Sequence, residues 1–297
     1  MYHIKAVFTV LSPFCKVFVK HSKVSLRQKL YHYSRNKKAT PKPKKPKGMR
    51  YMDKSIFKRH ELKYLVSAEQ RELIESAFER YMVPDEHGES TICNIYYDTP
   101  DFRLIRRSLE KPVYKEKLRL RSYGTASGDK NVFLELKKKY KGIVYKRRIS
   151  LNCDEAQDIP EINERLTDNS QIAKEINYFL DFYGDIFPAV YLCYDRTAYF
   201  GADDPDLRVT FDRNIRWRTE DVDLKIAPYG EQILENGCSL MEIKAAGSMP
   251  MWLVELLAEG EIKQTSFSKY GMAYMTMLKR SMGLKTKKIR SEVTVNV

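Results

Sequence analysis

The chain is short of the residues on which many catalytic and metal sites are built. Only five histidines occur in 297 residues, and only His60 and His87 lie beyond residue 52. That leaves little for histidine-centred triads or imidazole metal sites. The five cysteines (Cys15, Cys93, Cys153, Cys193 and Cys238) include no C-x-x-C pair. This disfavours a structural zinc site or a disulfide framework and suits a reducing compartment, so a cytoplasmic location is expected. There is no G-x-x-x-x-G-K-[ST] loop and no G-x-G-x-x-G run, so a nucleotide would be gripped by side chains and not by a backbone nest. No apolar run approaches the ~20 residues of a membrane span. Residues 6–19 come nearest, but Pro13 and Lys16 interrupt them and no convincing cleavage site follows.

Acid is absent from the first 52 residues, which hold 14 Lys and Arg; the rest of the chain balances 39 basic against 39 acidic residues. The formal charge of +14 therefore belongs to the N-terminal stretch. Residues 36–50 form a Pro/Lys run expected to be a solvated, extended linker. Residues 1–51 are read as a basic extension, or as sequence upstream of a true start at Met49 or Met52. The neutral body is no general polycationic coat, so no nucleic-acid partner is expected.

What the body does contain is rows of charge at strand spacing. In Lys115-Glu116-Lys117-Leu118-Arg119-Leu120-Arg121 four cations recur at every second position. In a β-strand all four project from one face and the leucines from the other. Such a row repels itself unless an anion lies along it. Arg59, Glu61 and Lys63 share a face of a strand over 56–64, and Glu135, Lys137 and Lys139 a face of 131–140. Lys146 and Arg148 do the same in 143–151, although Arg147 breaks the apolar side. Tyr194 and Arg196 share a face in 189–200, Arg208, Thr210 and Asp212 in 206–217, and Glu242 and Lys244 in 239–245. Strands are also expected over 91–98 and 114–123.

Ser67-Ala-Glu-Gln70 is a capping box that predicts a helix through about Tyr81. Further helices are expected over 170–183, ended by Gly184, after Ser248 with Pro250 in its first turn, and from about Ser266 to Lys279. The class is α+β. Eight strands with few parallel-type crossovers predict an antiparallel eight-stranded β-barrel with flanking helices. With the charged faces inward, a dry core is excluded. A wet tunnel that receives a polyanion such as phosphate fits, because Arg offers bidentate geometry and Lys a mobile charge. Glu61, Glu135 and Glu242 would be poor anion ligands and read as oxygen ligands for Mg²⁺ or Mn²⁺.

Seven segments carry a family resemblance: Phe57-Lys-Arg-His-Glu-Leu-Lys-Tyr64, Tyr96-Tyr-Asp-Thr99, Lys117-Leu-Arg-Leu-Arg-Ser-Tyr-Gly124, Phe133-Leu-Glu-Leu-Lys137, Tyr194-Asp-Arg-Thr-Ala-Tyr199, Leu240-Met-Glu-Ile-Lys244 and Ser268-Lys-Tyr270. In that order they resemble the VTC domain, the catalytic domain of the vacuolar transporter chaperone polyphosphate polymerases, within the triphosphate tunnel metalloenzymes. The resemblance implies a tunnel domain over residues 52–283 followed by a tail over 284–297. It implies ATP and inorganic polyphosphate as partners, transfer of the γ-phosphate to a growing chain, and Mn²⁺ as the favoured metal. By motif, Lys63, Arg119, Arg121, Lys137, Arg196 and Arg208 resemble phosphate-binding tunnel residues. Lys269 with Ser268 resembles a phosphate-contacting pair, Glu242 the metal-binding glutamate and Tyr194 a tunnel tyrosine, with Lys146 and Arg148 as further cations. The sequence departs from the fungal members in the lack of an SPX sensor and a membrane domain; no transmembrane segment of its own is expected, and a membrane partner stays open. A triphosphatase on the same fold and a non-catalytic polyphosphate-binding subunit are the alternatives.

Overall fold

The computed structural model describes residues 60–128, 130–141, 143–153 and 165–291. The basic extension, residues 56–59 of the first expected strand and the end of the C-terminal tail lie outside the described residues. Eleven strands belong to one sheet: β1 (His60–Val66), β2 (Met82–Pro84), β3 (Ser90–Asp98), β4 (Tyr114–Tyr123), β5 (Asn131–Tyr140), β6 (Ile143–Asn152), β7 (Phe187–Gly201), β8 (Arg208–Arg218), β9 (Glu231–Gln232), β10 (Ser239–Ala245) and β11 (Gln264–Thr265). Five helices accompany them among the described residues: α1 (Ala68–Tyr81), α2 (Arg103–Leu109), α3 (Gln171–Tyr183), α4 (Met251–Glu259) and α5 (Lys269–Ser281).

Every ladder pair is antiparallel. The strand order is β11-β1-β10-β8-β7-β3-β4-β5-β6, with β2 on β7 and β9 on β8. The expected closed eight-stranded barrel is therefore not formed. The two-residue β11 takes the free edge of β1, and β6 ends the path on the other side. The sheet nevertheless curls hard. Five strands separate β1 from β5, yet Glu61 Oε2 and Lys137 Nζ stand 3.7 Å apart. The result is a trough whose seam is bridged by side chains. Drawing the edges to ladder spacing, about 4.8 Å, would crowd the like charges of β4, β5 and β6 further.

Alternation then sorts the side chains. On the convex face Leu118, Leu120, Leu134 and Leu136 are fully buried against Ala173, Ile176, Phe179 and Leu180 of α3. Arg147, the cation on that apolar side, is accommodated because Glu175 of α3 accepts from its Nε at 3.2 Å. Around α1, Phe78 packs edge-on to Tyr199 and Trp252. The concave face is apolar at one end, where Leu65, Ile92, Leu192 and Leu240 meet Ile105 of α2 and Tyr270 and Ala273 of α5. Its other end is charged.

The capping box of α1 is present, with Ser67 Oγ accepting from Gln70 N and Gln70 Oε1 from Ser67 N. Gly184 ends α3 at φ +70°, where glycine carries no Cβ penalty. Pro250 proves to be the residue before α4, in extended geometry, and its carbonyl accepts from Leu253 and Val254. Short α2 was not expected. It starts behind Phe102, whose φ is +56°, and its amides are held by a carboxylate from the preceding strand. Asp98 Oδ1 accepts from Leu104 N and Thr99 N, and Oδ2 from Ile105 N. Tyr270 completes this set by donating to Oδ2 at 2.8 Å; burial and the Asp98 charge raise the phenol's pKa, keeping it a donor. The Asp98–Tyr270 bond thus ties α2, β3 and the first turn of α5 together. Tyr270→Phe should lower unfolding free energy by about 1–3 kcal/mol, the value of a hydrogen bond to a buried charged group. An unchanged urea midpoint at unchanged slope would show that the clasp carries no stability.

Candidate functional site

The charged part of the concave face divides into two clusters, each organised by buried carboxylates. The first surrounds Glu135 of β5, which is 0% exposed. Its Oε2 takes Arg119 Nη2 at 2.6 Å and Nε at 2.7 Å, and Arg121 Nε stands 3.8 Å away. Its Oε1 takes Lys146 Nζ at 2.7 Å and Arg148 Nε at 2.7 Å. Register explains the meeting, since Arg119 and Arg148 flank Glu135 on the two neighbouring strands. Burial opposes ionisation of Glu135, but Arg119, Arg121 and Lys146 outweigh it and hold its pKa far below the usual range. Arg148 also stacks over Phe133, 4.5 Å from the ring centre. Burial lowers Lys146 to about 8 despite Glu135.

The second cluster lies where β1, β7, β8 and β10 meet the start of α5. Asp212, 0% exposed, binds Arg196 in a two-pronged pair at 2.5 and 2.7 Å and Lys269 Nζ at 2.5 Å. Glu242, 7% exposed, is held differently. Lys63 and Lys269 stand 3.5 Å from its Oε1, and Arg196 and Lys244 stand 3.6 and 3.9 Å from its Oε2. Among the described residues none donates a hydrogen bond to it. Burial opposes its charge, yet Lys269, Lys63 and Arg196 keep it ionised well below the ordinary range. Glu61 is also loosely held, 3.5 Å from Lys63 and 3.7 Å from Lys137. Burial and Glu242 raise its pKa, Lys137 and Lys63 lower it, and it comes to rest at about 2. Lys63 Nζ thus faces both loosely held carboxylates while donating to Phe267 O.

Tyr194 joins the clusters. Its hydroxyl accepts from Arg121 at 3.4 Å, and its ring lies under Lys269 at 4.5 Å and Arg196 at 5.1 Å. Arg121 is further fixed by Asn94 at 2.9 Å, and Arg119 donates to Tyr96 at 3.2 Å. Tyr96 in turn stacks on Tyr270, with ring centres 4.9 Å apart. Ser268 caps α5 through Gly271 N and its Oγ accepts from Lys117.

Of the residues expected from sequence, Lys63, Lys137, Arg196, Tyr194, Glu61, Glu242, Ser268 and Lys269 gather in the second cluster. Arg119, Arg121, Lys146 and Arg148 gather on Glu135. Glu135, expected as a metal ligand, has both oxygens occupied by cations and lies in the other cluster from Glu61 and Glu242. Arg208 lies towards the rim, 3.8 Å from Asp85 and 5.0 Å over the Phe200 ring. Three further charged residues beside these clusters were not among the expected site residues: Asp212, Lys244 and Lys117. All three stand in the alternating rows, beside Arg208, Glu242 and Arg119, and that alternation was the signal available.

A divalent ion needs hard oxygen donors with free lone pairs. Among the described residues no three His, Cys, Asp or Glu side chains form a metal-binding group. Glu242 and Glu61 nevertheless fit a Mg²⁺- or Mn²⁺-type ion, which uses one or two carboxylates and completes its shell with phosphate oxygens and water. Glu135 does not fit.

Lys117 has no carboxylate within ion-pair distance among the described residues; it donates to Ser268 Oγ at 2.9 Å. Burial lowers its pKa first, and Lys63, Lys115, Lys137 and Arg119 add to this, bringing it to about 7.

The VTC domain family matches residues 58–278. This chain belongs to the VTC domain family. It is accordingly a tunnel-type domain with a phosphate-handling role. No curated protein matches the chain. Solved structures similar to this VTC domain include a candidate adenylyl cyclase from Hippeastrum with a dominant triphosphatase activity. It is 17% identical, with 76% of this chain and 96% of that one covered and a TM-score of 0.46. A candidate adenylate cyclase from Bacillus halodurans is 16% identical over 73% and 96%, TM-score 0.46. Another, from Vibrio parahaemolyticus, is 14% identical over 74% and 99%, TM-score 0.42.

Two predictions follow from the two clusters. Glu135→Gln leaves a ring of cations without its counter-charge and should cost about 3 kcal/mol of stability, the lower end for a broken buried pair because Lys146 and Arg148 are part-exposed. Urea unfolding measures it, and tripolyphosphate should restore part of the loss; a wild-type midpoint would dismiss the anchoring role. For Lys117 the sign is set by its lowered pKa. A free lysine stays protonated to about pH 10.4, so between about pH 7 and 10 the folded chain holds the smaller number of protons, and this group contributes stability that grows as pH rises through that window. A bound polyanion recharges Lys117, so tripolyphosphate affinity should fall between pH 6.5 and 9 more steeply in the wild type than in Lys117→Met. Calorimetry on both proteins cancels the ligand's own titration, and identical slopes would refute the assignment.

Proposed function

We propose that this VTC domain is a metal-dependent polyphosphate polymerase that transfers the γ-phosphate of ATP to a growing polyphosphate chain. The observation that carries the reading is Glu242, a buried, ionised carboxylate ringed by four cations at 3.5–3.9 Å and bonded directly to none. A purely structural carboxylate would be gripped as Glu135 and Asp212 are. One held at arm's length keeps lone pairs for a hard cation, while the surrounding ammonium and guanidinium groups have N–H donors to offer phosphate oxygens.

On this reading Glu242 and Glu61 hold Mn²⁺ or Mg²⁺, which when bound neutralises phosphate charge. Arg196 and Lys269, oriented by Asp212, face the transferring group. Arg119, Arg121, Lys146 and Arg148, oriented by Glu135, hold neighbouring phosphates, with Lys63 and Lys137 beside Glu61, Lys117 beside Ser268 and Arg208 near the rim. Phosphoryl transfer asks little covalent chemistry of the protein; positioning and charge stabilisation dominate. The terminal phosphate oxygen of the chain, already ionised, forms the new P–O bond as the bond to the β-phosphate oxygen breaks and ADP leaves. No side-chain base is needed. Rows that continue to Lys115 and Lys139 supply more cations than one triphosphate requires, which favours a long polyanion over a hydrolytic substrate. No described helix is long and apolar enough to cross a membrane; a separate membrane partner and a cytoplasmic location remain part of the proposal.

The test is to incubate the chain with ATP, Mn²⁺ and a short polyphosphate primer, and to resolve products on a polyphosphate gel. Longer chains should appear in step with ADP, and Glu242→Gln should abolish them. Arg196→Ala should slow turnover by an amount equivalent to about 2–4 kcal/mol, as for other preorganised donors. Stoichiometric free phosphate with no chain growth would make the protein a triphosphatase. Primer binding without ADP release would make it a binding subunit.

A further inference from the structure

We propose that the hydroxyl of Thr210 provides a third protein oxygen at the cation position framed by Glu242 and Glu61. The inference rests on the metal-dependent reading above. Thr210 lies on the concave face of β8, two residues from Asp212 on the same side. Its ladder partner on β10 is Glu242, and on β7 it is Ala198. The residue is 1% exposed, and its Oγ1 has no hydrogen-bond partner among the described residues.

A hydroxyl sealed from water normally finds a partner, since leaving one unmade is costly. Here it finds none among the described residues. The alanine on one side offers no polar side chain. On the other, Glu242 accepts no hydrogen bond from it. Arg196 and Lys269 are donors only, and they are drawn to Asp212. A carboxylate and a neutral hydroxyl thus stand opposite one another on the same face of adjacent strands. Both are hard oxygens, the donor type that Mg²⁺ and Mn²⁺ select. Thr210 reaches such an ion directly or through one of its waters; either way it is a positioning residue that fixes where the ion sits relative to Glu242.

The experiment uses the full chain and Mn²⁺ alone, without nucleotide. Free Mn²⁺ is followed by electron paramagnetic resonance during titration of the wild type, Thr210→Val, Thr210→Ser and Glu242→Gln. Valine matches threonine in shape and deletes the oxygen, whereas serine keeps the oxygen. Thr210→Val should weaken Mn²⁺ binding by about tenfold or more, the usual effect of removing a group that orients a metal site. Thr210→Ser should stay within about twofold. Thermal unfolding without Mn²⁺ should come no lower for the valine variant than for the wild type, since an unpartnered hydroxyl is lost, while the rise on adding Mn²⁺ should shrink. Wild-type Mn²⁺ affinity in Thr210→Val, alongside lost binding in Glu242→Gln, would overturn the role of Thr210 alone. Undiminished binding in Glu242→Gln, or no uptake by the wild type, would remove the metal reading and this inference together. Equal loss in the valine and serine variants would show a packing effect and also overturn it.

Discussion

Lining a concave sheet with lysine and arginine is possible only where carboxylates are buried among them. Without counter-charge the cations of β4, β5, β6 and α5 would repel one another in a poorly screened space. Glu135 and Asp212 meet that constraint by direct contact. Each fixes two or more cations at distances of 2.5–2.7 Å for the main bonds, and so turns mobile side chains into oriented donors. Compensation remains partial by design of the rows: Lys117 has a hydroxyl in place of a carboxylate, and burial plus neighbouring charge depress its pKa. The trough therefore carries an unmet demand for anions.

The machinery also depends on where α5 begins. Ser268 and Lys269 enter the trough because Tyr270 is bonded to Asp98 at the end of β3, and because its ring stacks on Tyr96. The same Asp98 organises the first amides of α2. Tyr96-Tyr-Asp-Thr99 and Ser268-Lys-Tyr270, far apart in sequence, are thus two halves of one joint. Its effect on function is indirect. It sets the position from which Lys269 reaches Asp212 and Glu242.

Much of this was legible in the sequence because strand alternation has a strict period of two. The long strands fall close to their expected bounds, and the charged faces share one side as their spacing requires. Ser67 and Gln70 identified α1 through chemistry that is purely local. Three strands, β2, β9 and β11, are two or three residues long and present no period to read. Helix α2 was hidden because its amides are satisfied by Asp98 and its entry uses a positive φ at Phe102, neither of which leaves a periodic trace. The three glutamates looked equivalent, since each sits mid-row between cations. Only distance separates Glu135, gripped by its partners, from Glu61 and Glu242, which are not. Closure of the sheet was equally unreadable, because it depends on two edges far apart in sequence and on the small strand that occupies one of them.

The open seam changes what kind of container this is. A ring of backbone ladders can be entered only through its ends, so a polymer must be threaded tip first and can leave only by sliding out. Here the gap between β1 and β5 is spanned by Lys137 and Glu61, two flexible side chains whose contact parts by bond rotation alone. If the domain handles a long polyanion as proposed, that chain need not be threaded tip first, because it is free to enter from the side where this contact parts. Topologically the molecule is a clasp and not a bead on a string.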